Sequence, residues 1–369
     1  MNMHNRPDWA LKLEQILTDE VVGPGVAPGG VLAAARRDGS GWQSAVAAAG
    51  TLEPASTEPV TTQTIYDLAS LTKPVVACLA LGFEERQPGL LTEPLGAFLP
   101  QVAEQRAAST NLELLLSHRA GLSAHRELFA PLRTGGLLDY DAGLRLAADT
   151  FREDSLEDPR GGYPAVYSDL GYVLAGAALE AHGRQALDEQ VAELAQRWLL
   201  SGTLSSARFL PADAPVAPTE DVDWRGGRVR GVVHDENAFA LRGRGLCGHA
   251  GLFGDARCFL TFGVALLECL RGLGPLRAET LRDALKPRPG GSYRLGFDSR
   301  SSQGSSAGRR FSSASFGHLG FTGTSLWCDP TANVAVVLLT NRVCPTRHNV
   351  AIRGARPTIH DQVHELCLG

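Results

Sequence analysis

A serine and a lysine lie three positions apart at the predicted start of a helix. Ser70 is followed by Lys73 and Pro74, and an apolar run at 75–81 continues the helix. Because proline lacks the N–H donor, it is tolerated only in the first turn, which places Ser70 at or just before the N-terminus. Free N–H groups and the helix dipole favour a developing negative charge there. Ser70 beside an amine is a candidate nucleophile that needs no histidine base, although an ordinary N-cap serine gives the same pattern.

A second candidate group is Tyr167, which stands before Ser168 and Asp169 on a loop leading into a predicted helix at 170–183. A tyrosine on such a loop can reach a neighbouring active site. A lysine ammonium that lowers the pKa of this tyrosine would let it serve as a general base near neutral pH. The alternative is a buried aromatic residue followed by a helix cap.

The third candidate is His318, followed by Leu319 and Gly320 in a predicted strand. Glycine in a strand lets the backbone approach a ligand closely. The alternative is a glycine-rich strand without a ligand. The joint occurrence of the three candidates, in this order and at these intervals, is not explained by three separate structural roles.

Composition restricts the class of protein. The 369 residues are 44% hydrophobic and 20% charged, which is ordinary for a globular chain, and the net charge of −5 argues against a nucleic-acid partner. Charged residues interrupt the first twenty positions, where no signal peptide is seen, and no segment approaches the roughly 20 uncharged residues of a membrane span. A cytoplasmic protein without a membrane partner is therefore predicted.

Cysteine and histidine patterns do not indicate a metal site. The seven cysteines are scattered without a C-x-x-C pair and are predicted to be reduced core thiols. The stretch 234–237 with His249 hints at a metal, but its spacing matches no ligand pattern. The same stretch either borders the cleft or makes structural hydrogen bonds. His118 and His249 are predicted to be structural.

Predicted strands occur near both ends of the chain, with helices between them. A hairpin is expected at 30–37 and 43–50, and further strands at 293–297, 315–319, 324–328 and 334–340. Helices are expected at 9–18, 112–116, 140–150, 170–183, 187–200 and 358–368, and one from the N-cap Asp255 to 270. The segment 211–224 is predicted to be a surface connection. The pattern indicates an α+β fold, an antiparallel sheet formed by both termini with a helical lobe inserted and the active site in the cleft between them.

With the three motifs in this order, the chain resembles the serine hydrolase family of class C β-lactamases, low-molecular-weight penicillin-binding proteins, D-alanyl-D-alanine carboxypeptidases and related esterases. Their motifs S-x-x-K, Y-x-N or a variant, and a Lys- or His-Thr-Gly strand are similar to residues 70–73, 167–169 and 318–320. Supporting segments are 114–122, 248–253, 320–327 and 338–342. The resemblance spans nearly the whole chain. It implies a β-lactamase/transpeptidase-like fold with a single domain at 1–369, whose α/β lobe covers about 1–75 and 250–369 and whose helical lobe covers about 76–249.

The resemblance also implies roles for individual residues. Ser70 would be acylated, Lys73 would activate it, and Tyr167 would pass the proton to the leaving group. The backbone N–H groups of Ser70 and Phe321 would form the oxyanion hole. No metal or organic cofactor is implied. The implied substrate-binding positions are Asp169, His318, Leu319 and Gly320.

Two positions depart from the family pattern. Asp169 replaces the usual asparagine, and as an acceptor-only group it is expected to pair with Lys73. Leu319 replaces a threonine that helps to bind a substrate carboxylate, and His318 is expected to be neutral where the lactamases carry a lysine. The anion site is therefore weakened. Arginines that could supply charge instead, although each is more often a surface group, are Arg242, Arg244, Arg309 and Arg310.

The sequence thus predicts an esterase-like enzyme that forms an acyl-serine intermediate on small carboxylic esters. The alternative is a D-alanyl-D-alanine carboxypeptidase or β-lactamase, which needs export. A second alternative is a catalytically retired scaffold or sensor.

Overall fold

The computed structural model describes residues 9–155 and 161–369. Its strands are β1 Gly29–Asp38, β2 Gly41–Gly50, β3 Tyr66–Asp67, β4 Leu204–Ser206, β5 Asp221–Val222, β6 Gly227–Arg228, β7 Leu252–Gly254, β8 Asp298–Ser299, β9 Phe316–Leu319, β10 Ser325–Asp329 and β11 Val334–Thr340. Its helices are α1 Ala10–Leu17, α2 Thr72–Arg86, α3 Leu95–Phe98, α4 Leu112–Leu116, α5 Ala130–Arg133, α6 Tyr140–Asp149, α7 Asp169–Gly183, α8 Leu187–Arg197, α9 Glu236–Arg242, α10 Ala256–Leu270, α11 Ala278–Ala284 and α12 Ile352–Leu368.

The main sheet joins both ends of the chain. Its strand order is β2-β1-β11-β10-β9-β8 with antiparallel neighbours, and Gly30 of β1 lies opposite Thr340 of β11. Side chains alternate between two cores, since Val31 packs in the cluster that contains α10 and Leu32 packs in the cluster that contains α1 and α12. The predicted α+β fold, with a sheet formed by both termini, is confirmed.

Helices α2 and α7 form the buried centre of the helical part. Residues 72–81 of α2 and 170–179 of α7 are buried on every face of the helix, as their apolar sequences require. Lys73 and Asp169 lie in the first turns of these two helices. Two rigid, fully packed elements therefore carry the charged residues of the predicted site.

Local sequence signals predict several element ends correctly. Asp255 caps α10 by accepting the N–H of Cys258 at 2.8 Å, and the hairpin β1–β2 turns where expected. The strand predicted at 293–297 is wrong, because within it only Tyr293 pairs, in a single bridge to Asp298. The helix expected from 358 instead begins at Ile352.

The segment 211–224 is only partly a surface connection. Residues 216–220 are buried, and Val216 pairs with Ile65 in an isolated bridge. The Asn341 amide donates to the Pro218 carbonyl at 2.8 Å. The prediction is wrong for this part because the partners come from distant parts of the chain. The predicted lobe boundaries stay predictions.

The seven cysteines are buried and free, in agreement with the prediction of core thiols. Burial raises the pKa of the Cys78 thiol well above its usual range. Among residues 9–155 and 161–369, no helix is both long enough and apolar enough to cross a membrane.

Candidate active site

Ser70 lies in a 3-10 turn, Ala69–Leu71, that leads from β3 into α2. Its predicted position just before a helix is confirmed, and it lines a cavity of about 500 Å³. Ala69 has a φ of +47°, a left-handed conformation that residues with a Cβ rarely adopt. The buried Asp67 carboxylate stabilises this turn by accepting the N–H of Ala69 at 2.8 Å. The strained turn therefore presents Ser70 to the cavity.

Lys73 is fully buried, with 0% of its surface exposed. Its Nζ donates to Ser70 Oγ at 2.8 Å, to Asp169 Oδ1 at 2.7 Å and to the carbonyl oxygen of His249 at 3.1 Å. An ammonium removed from water needs a partner for each N–H and an opposite charge nearby. These three acceptors meet that need, and the expected pairing of Asp169 with Lys73 is present.

Tyr167 completes the contacts of the serine, because its hydroxyl donates to Ser70 Oγ at 2.7 Å. Burial and the neighbouring Asp169 carboxylate raise the pKa of Tyr167 well above its usual range. The sequence predicts the opposite direction, through the charge of Lys73. Burial is the main reason for the raised pKa, and the Asp169 charge adds to it. Tyr167 is therefore a neutral phenol that donates to Ser70 Oγ.

The loop that carries Tyr167 is held by His118. The Ser168 N–H donates to His118 Nδ1 at 3.1 Å, and the His118 ring lies 4.6 Å from that of Tyr167. Burial and the charge of Lys73 lower the pKa of His118 well below its usual range, so the ring stays neutral and accepts. Ser168 Oγ then caps α7 by accepting the N–H of Gly171 at 3.2 Å. His118 is thus structural, as predicted, and it orients Tyr167.

The third predicted motif lines the same cavity through His318, Leu319 and Gly320. His318 Nδ1 lies 2.8 Å from the Leu319 carbonyl oxygen, and because a carbonyl only accepts, this nitrogen carries the proton. Burial and the charge of Lys73 lower the pKa of His318 to about 3. The neutral ring therefore keeps its free lone pair on Nε2, which makes this part of the cavity wall neutral.

Gly320 serves the protein backbone. A Cβ at this position would lie 2.0 Å from Thr324 Oγ1 and 2.6 Å from the Leu68 carbonyl oxygen. Thr324 Oγ1 itself donates to the Leu68 carbonyl at 3.1 Å. The sequence predicts close approach to a ligand, whereas the structure shows close approach to the segment that precedes Ser70. Glycine here lets the end of β9 pack on the nucleophile turn.

Phe321 lies at the mouth of the cavity, with 49% of its surface exposed. Its ring stacks on His234 at 5.7 Å, and its carbonyl accepts from Arg342 Nε at 2.9 Å. The next residue, Thr322, donates from its hydroxyl to the Asp67 carbonyl at 2.7 Å. The turn that carries Phe321 is therefore tied to the turn that carries Ser70, as an oxyanion hole shared by the two would require.

Arginines line the cavity, but they are not those predicted. Arg242 pairs with Glu180, Arg244 donates to a backbone carbonyl, and the backbone N–H groups of Arg309 and Arg310 bind Asp361. The arginines that line the cavity after β11 are Arg342, Arg347, Arg353 and Arg356.

Arg356 is a buried cation, with 7% of its surface exposed. It donates to the carbonyls of Gly320 at 2.7 Å and Thr324 at 2.8 Å, and burial together with Arg342 lowers its pKa to about 9. In the described part of the chain it forms no ion pair, and its buried Nε has no hydrogen-bond partner.

The stretch 234–237 connects several walls of the cavity. The His234 N–H donates to Asp67 at 2.6 Å, and Asp235 caps α9 and lies 2.7 Å from His249 Nε2. Asn237 binds the 126–129 loop at the Arg126 carbonyl and the Phe129 N–H, at 2.8 and 3.2 Å. The structural role is therefore present, and because His234, Asp235 and Glu236 also line the cavity, contact with a substrate stays a prediction. The described ranges contain no group of three side chains that could hold a metal ion.

Two features of the site lack a sequence signal. The His249 carbonyl accepts from Lys73, yet every residue has a carbonyl, so the residue type does not reveal this contact. Arg356 follows no motif and becomes recognisable only when α12 packs beside β9.

The comparisons with known proteins agree with this architecture. The family model described as beta-lactamase matches residues 18–357. A putative D-alanyl-D-alanine carboxypeptidase of Escherichia coli O157:H7 is 28% identical over 329 residues, covering 82% of this chain and 74% of its own length. An N-acetylmuramyl-L-alanine amidase of Bacillus subtilis is 29% identical over 319 residues, covering 76% and 68%.

Solved structures share the fold. A penicillin-binding protein homologue from Caulobacter crescentus has a TM-score of 0.73 at 16% identity and covers 98% of each chain. EstCE1, a hydrolase with promiscuous acyltransferase activity, has a TM-score of 0.69 at 22% identity, covering 94% of this chain and 98% of its own.

The carboxylate of Glu220 binds His234 and Arg347, two residues of the cavity wall, and should make the stability of the fold depend on pH. Burial alone would raise the pKa of Glu220, but hydrogen bonds from His234 and Arg347 lower it to about 2. A lowered carboxylate pKa stabilises the fold above the unfolded value of about 4.5 and loses this effect as pH falls toward 2. At pH 7 we expect the free energy of unfolding of the wild type to be higher than that of Glu220→Gln by on the order of 1–3 kcal/mol. This difference should disappear as the pH falls from about 5 to about 2.

Urea unfolding at a series of pH values measures this difference. The control is Glu365→Gln, since Glu365 is an exposed partner of Arg310 and its removal should change stability by less than about 1 kcal/mol. A gap for Glu220→Gln that stays constant down to pH 2 would contradict the prediction.

Proposed function

The chain belongs to the β-lactamase family of serine hydrolases, and we propose that it hydrolyses small carboxylic esters through an acyl-enzyme formed on Ser70. The observation that carries the proposal is the pair of hydrogen bonds on Ser70 Oγ, from Lys73 Nζ at 2.8 Å and Tyr167 at 2.7 Å, beside an open cavity. A hydroxyl held by two proton-transfer groups is the arrangement needed for acyl transfer without a histidine base.

In the proposed acylation, the reactive form has Lys73 as a neutral amine. Ser70 Oγ attacks the ester carbonyl carbon and gives its proton to Lys73. The N–H groups of Ser70 and Phe321 stabilise the oxyanion. Tyr167 gives its proton to the departing alcohol oxygen and regains one from Lys73. The net result is the transfer of one proton from Ser70 to the alcohol. In deacylation water attacks the acyl carbon, and its proton returns through the same pair to Ser70.

Two features of the third motif support a neutral ester. His318 is uncharged, and Leu319 offers an alkyl side chain where a hydroxyl would meet a carboxylate. A site that lacks a partner for a polar group discriminates against substrates that carry this group.

Arg356 favours a second candidate, an amide or peptide substrate that carries a carboxylate. Its buried guanidinium lines the cavity without an ion pair in the described ranges, and the exposed Arg353 lies near it in α12. Relatives named as a carboxypeptidase and an amidase agree with this candidate. Cell-wall substrates would need export, whereas the cytoplasmic location stays a prediction from the sequence.

A retired scaffold or sensor, the remaining alternative, has no use for an activated serine. Labelling by a fluorophosphonate probe distinguishes it from an enzyme.

We expect the probe to attach to Ser70, because this hydroxyl is bound by Lys73. Ser70→Ala should abolish labelling and lower ester hydrolysis by at least about a thousandfold while the fold stays intact. Mass spectrometry of the treated protein locates the adduct, and the exposed Ser201→Ala serves as the control that keeps full activity. An adduct on another serine would remove Ser70 from the mechanism.

We also expect Lys73 and Tyr167 to act as one unit, since both bind the same oxygen. Lys73→Met and Tyr167→Phe should each lower kcat by several orders of magnitude, and the double variant should lose little more. Steady-state kinetics on a p-nitrophenyl ester measures the coupling. The control is Tyr293→Phe, which removes the hydroxyl of a ring whose centroid lies 5.7 Å from that of Tyr167. This variant should lower kcat less than about tenfold. Full additivity of the two losses would show independent roles.

Substrate class is tested by a screen of short p-nitrophenyl esters, nitrocefin and a D-Ala-D-Ala peptide. We expect the highest kcat/KM for neutral esters, and Leu319→Thr should shift the ratio toward the carboxylate-bearing substrates. Arg353→Gln should raise KM for those substrates alone if the second candidate holds. A β-lactam or peptide turned over with higher kcat/KM than every ester would overturn the ester proposal.

A further inference from the structure

The direction of one lone pair decides whether Lys73 can act on Ser70. A neutral amine has two N–H bonds and one lone pair around its tetrahedral nitrogen. Asp169 Oδ1 and the His249 carbonyl oxygen are acceptors only, so both N–H bonds of the amine point to them, at 2.7 and 3.1 Å. The remaining direction leads to Ser70 Oγ at 2.8 Å. The His249 carbonyl is therefore one of two acceptors that aim the lone pair.

The backbone before His249 is held against α7. A Cβ on Gly248 would lie 2.0 Å from the Tyr172 carbonyl oxygen and 2.8 Å from the Gly176 Cα, so the two backbones are in direct contact. Cys247 and Ala250 close the turn with reciprocal backbone hydrogen bonds at 3.1 and 3.3 Å. This packing fixes the turn on one side only.

The other side of the turn is fixed by the His249 side chain. Its Nε2 lies 2.7 Å from Asp235 Oδ1, and the ring is 1% exposed. The same Oδ1 accepts the N–H of Ala238 at 2.8 Å and so caps α9. Burial alone would lower the pKa of His249, but the Asp235 charge raises it well above the usual range, and the pKa of Asp235 falls. The two therefore form an ion pair between a buried imidazole ring and a carboxylate that is partly exposed at the cavity wall.

We propose that the Asp235–His249 pair positions the His249 carbonyl, which together with Asp169 directs the Lys73 lone pair at Ser70. Asp235 and His249 are then positioning residues for the acylation step. This inference rests on the proposed function of Ser70 and Lys73. The carbonyl that accepts from Lys73 and the ring that contacts Asp235 both belong to His249. A change of the ring can therefore reveal a role in proton transfer that is separate from a role in folding alone.

The chain offers a matched control pair. Asp329 and His364 form a second buried Asp–His contact at 3.0 Å, between β10 and α12. This pair packs in the core that contains α1 and α12, away from the cavity lining. Breaking either pair destabilises the fold, but only the Asp235–His249 pair leads to Lys73.

The experiment compares His249→Ala, His249→Gln and His364→Ala. In His249→Ala we expect kcat for a p-nitrophenyl ester and the rate of fluorophosphonate labelling to fall about 10- to 100-fold with little change in KM, because the reacting groups are misaligned. His249→Gln keeps an N–H donor for Asp235 and should restore most of the activity. His364→Ala should keep kcat within about twofold, although it also loses stability.

If His249→Ala does not fold, the double variant His249→Ala/Asp235→Ala is used, since it leaves no unpaired buried charge. It should show the same loss of kcat. The inference is overturned if His249→Ala or the double variant folds and has the same kcat as His364→Ala. It is also overturned if these variants change only KM. Wild-type protein that is not labelled on Ser70 overturns the proposed function instead, so the two failures are distinguishable.

Discussion

The burial of one charge, the Lys73 ammonium, sets the arrangement of the whole site. Removing an ammonium from water costs several kcal/mol unless every N–H finds a partner. The acceptors come from three places, the Ser70 turn, the start of α7 and the segment before β7. These elements must therefore meet at hydrogen-bond distance. The fully apolar faces of α2 and α7 make that meeting rigid, because neither helix can shift without opening a core cavity.

Charge is distributed unevenly across the cavity. Near Ser70 the groups are neutral or paired, since Asp169 offsets Lys73, and both Tyr167 and His318 are uncharged. At α12 the guanidinium of Arg356 is bound only by carbonyls among the described residues. A substrate therefore meets a reacting centre whose charges are neutral or paired, and a cationic wall at α12. This difference explains why an ester and a carboxylate-bearing amide are both chemically reasonable occupants.

Local signals in the sequence predict what depends on near neighbours. Pro74 locates the start of α2, Asp255 caps α10, and the continuous apolar run of β11 is found at its predicted position. Long-range partners are not predictable in this way. The buried segment at 216–220 pairs with Ile65 and Asn341, and the stretch at 234–237 binds Asp67, far away in the chain. The residue types permit these contacts, but only the packed fold selects them.

The pairing of β1 with β11 determines when the site can exist. Ser70 and Lys73 belong to the first quarter of the chain, whereas Phe321 and Thr322 follow β9, and the segment that carries them reaches the Ser70 turn through contacts such as the Thr322–Asp67 hydrogen bond. Strand pairing between such distant segments is slow to form, and synthesis proceeds from the N-terminus. A nascent chain with the complete S-x-x-K motif therefore still lacks Phe321, whose N–H is the proposed second donor of the oxyanion hole. Chemical competence arrives late in synthesis, when the last strands close the sheet.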